Sequence, residues 1–192
     1  MSILILGLVL FLGIHSVRIV ADDARSRFIA TRGAGPWKGL YSLASALGFA
    51  AILWGYRAAR AEPVVVWAPI PAMRHVAAVL TVLAFILLVA AYVPRNGIKA
   101  RVHHPMVLAV MAWALAHLLV SVTLASVVLF ASFLVWAAFS FRAARQRDSA
   151  AGTTYAAGRL PATLITLGVG AAVWALFALR VHGAWLGVQP LG

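Results

Sequence analysis

Long apolar runs separated by short polar segments form the main pattern of the chain. Apolar side chains dominate residues 2–20, 39–56, 72–93, 105–141 and 161–180, and polarity does not alternate at every second position. A transmembrane helix needs ~20 such residues to cross a hydrocarbon core of ~30 Å, whereas a membrane strand alternates in polarity. The pattern therefore predicts an all-α, polytopic membrane helix bundle.

The longest apolar run, from Met106 to Phe141, is too long for one crossing. As a single helix it would extend over about 54 Å at ~1.5 Å per residue. Ser121-Val122-Thr123 is the only polar cluster near its middle, and we place a break there. The prediction is then about six transmembrane helices in a single integral-membrane domain of residues 1–192, at about 2–20, 39–56, 72–93, 105–120, 124–141 and 161–180.

The segments between these helices are predicted to be loops. Residues 21–37 form a polar segment, part of it helical on the membrane surface, that ends at the GAGP run. Residues 142–160 follow helix five as a cytoplasmic loop. The tail, residues 181–192, is predicted to lie at the level of the lipid head groups with an interfacial Trp185.

Basic residues are distributed unequally between the two predicted sides. Loops after helices one, three and five hold 12 of the 16 Lys and Arg residues, and the other side holds 4. The positive-inside rule then places both termini on the periplasmic side of a bacterial inner membrane. The first helix has no basic residue before it and Arg18 after it, which is the reverse of a signal peptide, so we expect it to be retained.

The net charge of +12 has a different meaning here than in a soluble protein. Basic residues beside apolar spans meet anionic lipid head groups. The chain has no basic patch interleaved with aromatic residues of the kind that binds nucleic acid. We therefore predict membrane lipids as partners and no nucleic acid, and the sequence does not indicate an oligomeric state.

The composition restricts the chemistry that the chain can perform. There is no cysteine, so any metal must be held by histidine. All four carboxylates lie in predicted loops or at helix ends, at Asp22, Asp23, Glu62 and Asp148. This excludes a proton relay of carboxylates buried in the membrane, and it excludes a catalytic pair of carboxylates.

Predicted helix four carries one notable stripe of side chains. Met106, Val110, Trp113 and His117 are spaced four, three and four residues apart, so they share a face. This face could bind a flat apolar cofactor whose metal is ligated by His117. Alternatively, it is an ordinary packing face in which His117 bonds to a Ser or Thr of a neighbouring helix.

His15 is the second candidate ligand, because it lies in helix one with Arg18 three residues later on the same side. An arginine there can pair with a carboxylate of a bound cofactor, or it can extend to lipid phosphate while His15 caps a carbonyl. His15 and His117 are the minimum for haem ligation by two imidazoles. Counting ~1.5 Å per residue separates them by roughly 10 Å in depth, which weakens the pairing unless the helices tilt.

The remaining histidines and the deep tryptophans are assigned structural roles. His104 is predicted to cap helix four or touch the water interface, and it is the alternative metal ligand to His117. For His103 we expect a structural role. His75 and His182 are predicted at the outer interface without a function. The deeper tryptophans, Trp113, Trp136 and Trp174, are predicted to pack in the core, with flanking of a cofactor as the alternative.

Four blocks in order along the chain resemble the NnrU family. They are LGLVLFLGIHSVRI, WKGLYSLASALGFAAILWGY, ILLVAAYVPRNGI and RVHHPMVLAVMAWALAHLLV, and together they cover nearly the whole chain. The resemblance implies a polytopic inner-membrane protein of a family whose genes lie beside those for denitrification and nitric-oxide response.

The same superfamily includes the plant ζ-carotene isomerase, which this chain resembles in the histidine of helix one and the HP–W–L–A–H stretch. In that enzyme a b-type haem is attributed to histidines that match His15 and His117. The chain departs from the pattern at two places. Val-Ser-Val-Thr replaces an Asn-Gly-Asp-like turn after His117, and Trp136 occupies the position of a further histidine of the isomerase.

The resemblance therefore implies a haem b protein with His15 and His117 as ligands. Its expected role is in nitrogen-oxide metabolism, by redox chemistry, by sensing or by maturation of a reductase. A nitrogen-oxide reductase or another redox protein is then the expected partner. One alternative is a haem-dependent isomerase of a lipophilic polyene, so enzymatic activity stays open. The other is a membrane assembly factor without a cofactor.

Overall fold

A computed structural model describes residues 1–190 of the chain. Helices account for 81% of the structure, and no strand occurs within that range, which confirms the all-α prediction. The elements are α1 Ser2–Val20, α2 Asp22–Arg32, α3 Ala34–Ala61, α4 Met73–Tyr92, α5 Gly97–Val102, α6 Pro105–Val120, α7 Leu124–Ala150, α8 Leu160–Leu176, a π-helical turn Phe177–Val181 and α9 His182–Leu186.

Within residues 1–190, five helical segments are long and apolar enough to cross a membrane. They are α1, α3, α4, α7 and the continuous stretch Leu160–Leu186. The sixth apolar helix, α6, has 16 residues, which is about 24 Å at 1.5 Å per residue and shorter than the ~30 Å core. Each of the six predicted helices thus has a helical counterpart, and the chain has the character of a membrane protein.

Two helices are longer than predicted. α3 begins at Ala34, so the GAGP run that we expected to end a loop forms its first turn. Proline is tolerated there because the first-turn N–H groups have no helical partner. α7 continues to Ala150, nine residues past the predicted end, because RAARQRDSA contains good helix formers and neither Gly nor Pro. The predicted loop starting at residue 142 was therefore wrong over this stretch.

Smaller helices occupy two of the predicted connections and part of the predicted tail. Within residues 21–37, α2 is helical as expected and has no buried residue. α5 lies in the predicted loop before helix four. The predicted sixth helix, 161–180, corresponds to α8 and most of the π-helical turn, and α9 lies in the predicted tail. The predicted tail extends to residues 191 and 192, which lie outside the described residues.

The break predicted at Ser121-Val122-Thr123 is confirmed, since α6 ends at Val120 and α7 begins at Leu124. Two backbone hydrogen bonds join this link to the segment after α3. Val66 N donates to Val122 O at 2.8 Å, and Leu124 N donates to Val64 O at 2.9 Å. These partners satisfy backbone groups that a continuous helix would have paired, which allows a break without Gly or Pro.

The contacts of the chain divide it into two compact units. Unit 1 comprises Met1–Ala68 and Val122–Ser140, and unit 2 comprises Pro69–Ser121 and the chain from Phe141 onward. In unit 1, α1 packs along α3, and α2 contacts both of them. In unit 2, α4 packs against α6 and α8.

Glycines permit the close packing of α1 on α3. A Cβ atom added at Gly7 would lie 2.6 Å from the backbone N of Ile52, and one added at Gly48 would lie 2.7 Å from the backbone N of Phe11. Small residues let membrane helices approach at the backbone, where dispersion contacts hold them together. The main chain of α1 around Phe11 is therefore positioned by α3.

Asn96 positions the connection between α4 and α5 in unit 2. Its side chain is 1% exposed. Its amide donates to Ala90 O at 2.8 Å and to Val93 O at 2.6 Å, and its Oδ1 accepts from Lys99 N at 2.7 Å as the cap of α5. One buried side chain thus satisfies the end of one helix and the start of the next.

Candidate functional site

His15 is half-buried on α1 and is oriented by the backbone of its own helix. Its Nδ1 lies 2.6 Å from the carbonyl oxygen of Phe11, one turn earlier. Because a carbonyl oxygen only accepts hydrogen bonds, this contact places the ring proton on Nδ1. The lone pair of the neutral ring is then on Nε2, which is the nitrogen available to a metal.

Aromatic rings surround the imidazole of His15. The ring of Phe11 stacks on it at 4.2 Å between centres, Tyr41 lies at 5.0 Å, and Trp136 lies edge-on at 6.0 Å. The indole Nε1 of Trp136 is buried and has no hydrogen-bond partner in the described part of the chain. An unpaired N–H in an apolar surrounding costs roughly 1–3 kcal/mol, so core packing, one of the two roles predicted for Trp136, does not account for its indole nitrogen.

Arg18 lies in the last turn of α1, exposed and three residues beyond His15. This is the arrangement that the sequence predicted, with the imidazole further inside the helix and the guanidinium near its end. A guanidinium in that position can reach a carboxylate or phosphate at the polar edge of the apolar region.

The predicted stripe on helix four lies along one half-buried face of α6. Met106, Val110, Trp113 and His117 are all partly exposed. The Nδ1 of His117 lies 2.8 Å from the carbonyl oxygen of Trp113, and the two rings are 5.2 Å apart between centres. His117 therefore repeats the arrangement of His15, since its Nδ1 donates to a carbonyl four residues earlier and its lone pair is on Nε2.

His182 lies beside His117 in unit 2, which the sequence did not predict. Its ring centre is 6.5 Å from that of His117, and the ring planes differ by 28°. It is half-buried and contacts the edge of Phe177 at 6.0 Å. Nothing in the sequence near either histidine signals this pairing, because it depends on how α6 packs against the end of the chain.

His104 has a different role from the predicted one. It precedes α6 as the N-cap residue, but its side chain makes no capping hydrogen bond. Instead its Nε2 lies 2.8 Å from Oδ2 of Asp148, and the same oxygen accepts from the hydroxyl of Tyr155 at 2.7 Å. The cap prediction was wrong because the end of α7 brings a carboxylate to the imidazole.

His104, Asp148 and Tyr155 form a cluster of side chains, and His103 contacts this cluster through Tyr155 and Arg145. The rings of His103 and Tyr155 stack at 4.1 Å with an angle of 3°, and the guanidinium of Arg145 donates to Nδ1 of His103. His103 has a φ of +66°, which is rare for a residue with a Cβ and costs of order 1–3 kcal/mol. Such strain persists only where surrounding contacts hold the residue in place.

The hydroxyl of Tyr155 is affected by its place in this cluster. Burial raises the pKa of Tyr155 to about 12, and the hydrogen bond to Asp148 and its negative charge act in the same direction. Sequence reasoning missed this cluster. The available signal was Asp148 itself, since it is the only carboxylate after Glu62.

A model of one protein family, described as NnrU protein, matches residues 3–190. The chain belongs to the NnrU family. No curated protein and no solved structure matches it. The family match confirms the resemblance drawn from the four sequence blocks, and it includes both His15 and His117.

The imidazole nitrogens of this NnrU chain suit a metal whose remaining coordination positions are filled by a cofactor. No group of three or more His, Asp or Glu residues that could hold a metal ion occurs within residues 1–190. His15 and His117 each offer one Nε2 whose tautomer is fixed by a main-chain carbonyl. An imidazole nitrogen is a donor that haem iron accepts, so each of these residues, by its donor chemistry, fits a haem.

Proposed function

We propose that this NnrU protein is a b-type haem protein of the bacterial inner membrane, in which His15 and His117 would hold the haem iron. Its expected role is in nitrogen-oxide metabolism, through redox chemistry, sensing or maturation of a reductase. The partner that this role requires is a nitrogen-oxide reductase or another redox protein.

One observation carries the proposal. Nδ1 of His15 lies 2.6 Å from Phe11 O and Nδ1 of His117 lies 2.8 Å from Trp113 O, so both rings are held by the carbonyl four residues earlier. Metal-ligating histidines characteristically donate their second ring N–H to a carbonyl or carboxylate, which fixes the tautomer and the ring orientation. Both histidines lie in apolar helices and have their tautomer fixed by the same backbone contact. This similarity supports a shared function as metal ligands.

The other predicted residues would hold the apolar and polar parts of the haem. Met106, Val110 and Trp113 lie on the face of α6 that carries His117, and their apolar surfaces would exclude water from that side of a bound haem. Arg18 would pair with a propionate at the end of α1. When bound, the haem would supply one-electron chemistry.

The buried indole N–H of Trp136 is an unpaired donor near His15 within residues 1–190. It lacks a partner among the described residues, although its ring is 6.0 Å from that of His15. We assign it as a donor to an oxygen of the bound group, because a donor buried in apolar surroundings is otherwise costly.

For the membrane arrangement, we propose six crossings with both termini in the periplasm. Five helical segments have the length and composition for a crossing, and α6 would be the sixth. Its 16 residues are short for a full core, and a helix of that length is accommodated by local thinning of the bilayer.

The experiment is pyridine haemochrome quantitation on protein purified in detergent after expression with added haem precursor. Wild type is compared with His15→Ala and His117→Ala, and with His75→Ala as the matched control, because His75 is an exposed histidine at the start of α4. We expect about one haem per wild-type and His75→Ala chain, and a loss of at least about tenfold in retained haem for both ligand variants. A wild-type protein without haem would overturn the proposal.

A further inference from the structure

The segment that follows α3 exposes a run of apolar side chains. No charged residue occurs between Glu62 and Arg74. Four successive side chains in this stretch are between 47% and 64% exposed, at Val64, Val65, Val66 and Trp67. Contiguous apolar surface of this kind marks a contact with a membrane or with another protein.

The Val64–Trp67 segment is held in an extended form against the start of α7, within unit 1. Val65 forms an isolated antiparallel bridge with Thr123, and the two backbone hydrogen bonds to Val122 and Leu124 flank this bridge. Successive side chains of an extended chain point to opposite faces. Because both Val64 and Val65 are exposed, neither face of the segment is covered by the described part of the chain.

The hydroxyl groups beside the segment are bonded to one another. The Oη of Tyr56 lies 2.9 Å from Ser126 Oγ, which lies 2.9 Å from Thr123 Oγ1. These hydrogen bonds join the end of α3 to the start of α7 and satisfy polar groups inside the unit. The surface that the Val64–Trp67 segment presents to its surroundings is therefore apolar.

The same hydrogen bonds give the depth of the segment. Tyr56 of α3 and Ser126 of α7 lie at one level, since their hydroxyls are in contact. Arg60 is about 6 Å beyond Tyr56 along the helix, and Thr123 is about 4.5 Å before Ser126 by the same count of residues. Val65, opposite Thr123, is then near the level of Arg60, and an exposed arginine at the end of a span meets lipid head groups.

We propose that the Val64–Trp67 segment inserts into the lipid bilayer, with both of its faces immersed at the boundary between head groups and acyl chains. Phospholipid then covers its apolar side chains. The segment is continuous with two helices of the same unit, α3 and α7, that have the length and composition of membrane spans. Exposed Leu53 and Trp54 extend the apolar surface along α3 towards the interior of the membrane.

This boundary suits both the backbone and the indole of the segment. In the hydrocarbon core every backbone polar group needs a partner within the protein. Val64 O and Val66 N have theirs in Leu124 N and Val122 O, and at the boundary water can still bond to the other backbone groups. Trp67 has an apolar ring and one N–H, a combination that is enriched at this level of a membrane.

Insertion of the segment is independent of haem binding, and it rests on the proposed function only in that α3 crosses the membrane. The test uses single cysteines, because the chain has none of its own. Val64→Cys and Val65→Cys place one label on each face of the segment. Leu47→Cys, exposed in the middle of α3, is the lipid reference, and Thr154→Cys, exposed between α7 and α8, is the water reference.

Each full-length variant is labelled with the fluorophore NBD and reconstituted into phosphatidylcholine vesicles. The quenchers are iodide, present on both sides of the vesicle, and phosphatidylcholine that carries a nitroxide near the head group or in the middle of the acyl chain. We expect both valine positions to emit at shorter wavelength than Thr154→Cys and to lose quenching by iodide. Quenching by the nitroxide near the head group is expected at both valines, and quenching by the deeper nitroxide at Leu47→Cys.

Iodide quenching at either valine position that equals that of Thr154→Cys would overturn the inference. Protection of the valines from iodide and from both nitroxides would also overturn it, since a second copy of the chain or another protein would then cover the segment. Two valine positions are used so that one poorly folded variant does not decide the result. Lipid contact at Leu47 with water at the valines removes the inference alone, whereas water at Leu47 removes the crossing of α3 as well.

Discussion

The carbonyl oxygen of Phe11 accepts a hydrogen bond from Nδ1 of His15 at 2.6 Å. The backbone of α1 thereby fixes which nitrogen of the imidazole is available for other contacts. α3 approaches the same stretch of backbone closely, since a Cβ added at Gly48 would lie 2.7 Å from the backbone nitrogen of Phe11. Packing of the two helices and orientation of the candidate ligand are therefore linked.

Gly48→Ala is expected to lower both the stability of the protein and its haem content. The added Cβ would lie 2.7 Å from Phe11 N, so the helices must separate, at a cost of about 1–3 kcal/mol. Unfolding in detergent and haem quantitation measure the two effects. Gly39→Ala on the same helix is the control, since a Cβ there meets nothing within 4 Å. Equal behaviour of the two variants would contradict the linkage.

Two tryptophan variants test whether the indole of Trp136 is unpaired in the haem-free protein. Trp174 donates from Nε1 to Thr81 Oγ1 at 3.0 Å, whereas Trp136 has no such partner within residues 1–190. Because only Trp174→Phe removes a hydrogen bond, we expect it to cost about 1 kcal/mol more than Trp136→Phe in free energy of unfolding. The reverse order would show that Trp136 is paired in the haem-free protein.

Much of the fold could be predicted from the sequence. The lengths of the apolar runs predict where the helices lie, and Pro105 predicts the start of α6. The break at Ser121-Val122-Thr123 was found from polarity alone, although its partner segment at Val64–Val66 was not. The end of α7 was misplaced because a change from apolar to charged residues ends a hydrophobic run without ending a helix.

The candidate site was predictable only within each helix. Spacing along α6 placed Trp113 and His117 on one face, and the structure has them in contact. The pairing of His117 with His182, and that of His104 with Asp148, join residues far apart in the chain. Such contacts depend on tertiary packing, which periodicity does not describe.

Asn96 offers a direct test of the connection between α4 and α5. Asn96→Ala removes three hydrogen bonds of a side chain that is 1% exposed, and we expect a loss of about 2–4 kcal/mol in free energy of unfolding. Asn96→Asp keeps an acceptor for Lys99 N but loses both donors to the end of α4. If Asp restores full stability, the two contacts to Ala90 O and Val93 O are not stabilising.

Alkaline pH is expected to weaken the contacts of Tyr155. Its pKa of about 12 lies above the ordinary value of 10.0, so the fold favours the neutral phenol. The resulting stabilisation is complete below about pH 10 and is lost as the pH rises through about 12. Phenolate absorbance of wild type minus Tyr155→Phe, followed against pH, reports this titration.

Asp148→Asn tests the cause of that shift. It removes the negative charge beside the hydroxyl and is expected to lower the pKa of Tyr155 towards its ordinary value. Asp22→Asn is the matched control, because Asp22 pairs with Arg25 at 3.0 Å on α2. Identical titration curves for Asp148→Asn and wild type would show that burial alone raises the pKa.

The most direct measurement of the central claim is electron paramagnetic resonance of the ferric protein, loaded with hemin. Two imidazole ligands make haem iron low-spin, and the loss of one leaves it high-spin. The account predicts a low-spin signal for wild type and His75→Ala, and a high-spin signal for His15→Ala and for His117→Ala. A low-spin signal that survives in both ligand variants, or a wild-type protein that takes up no hemin, would contradict the assignment of His15 and His117.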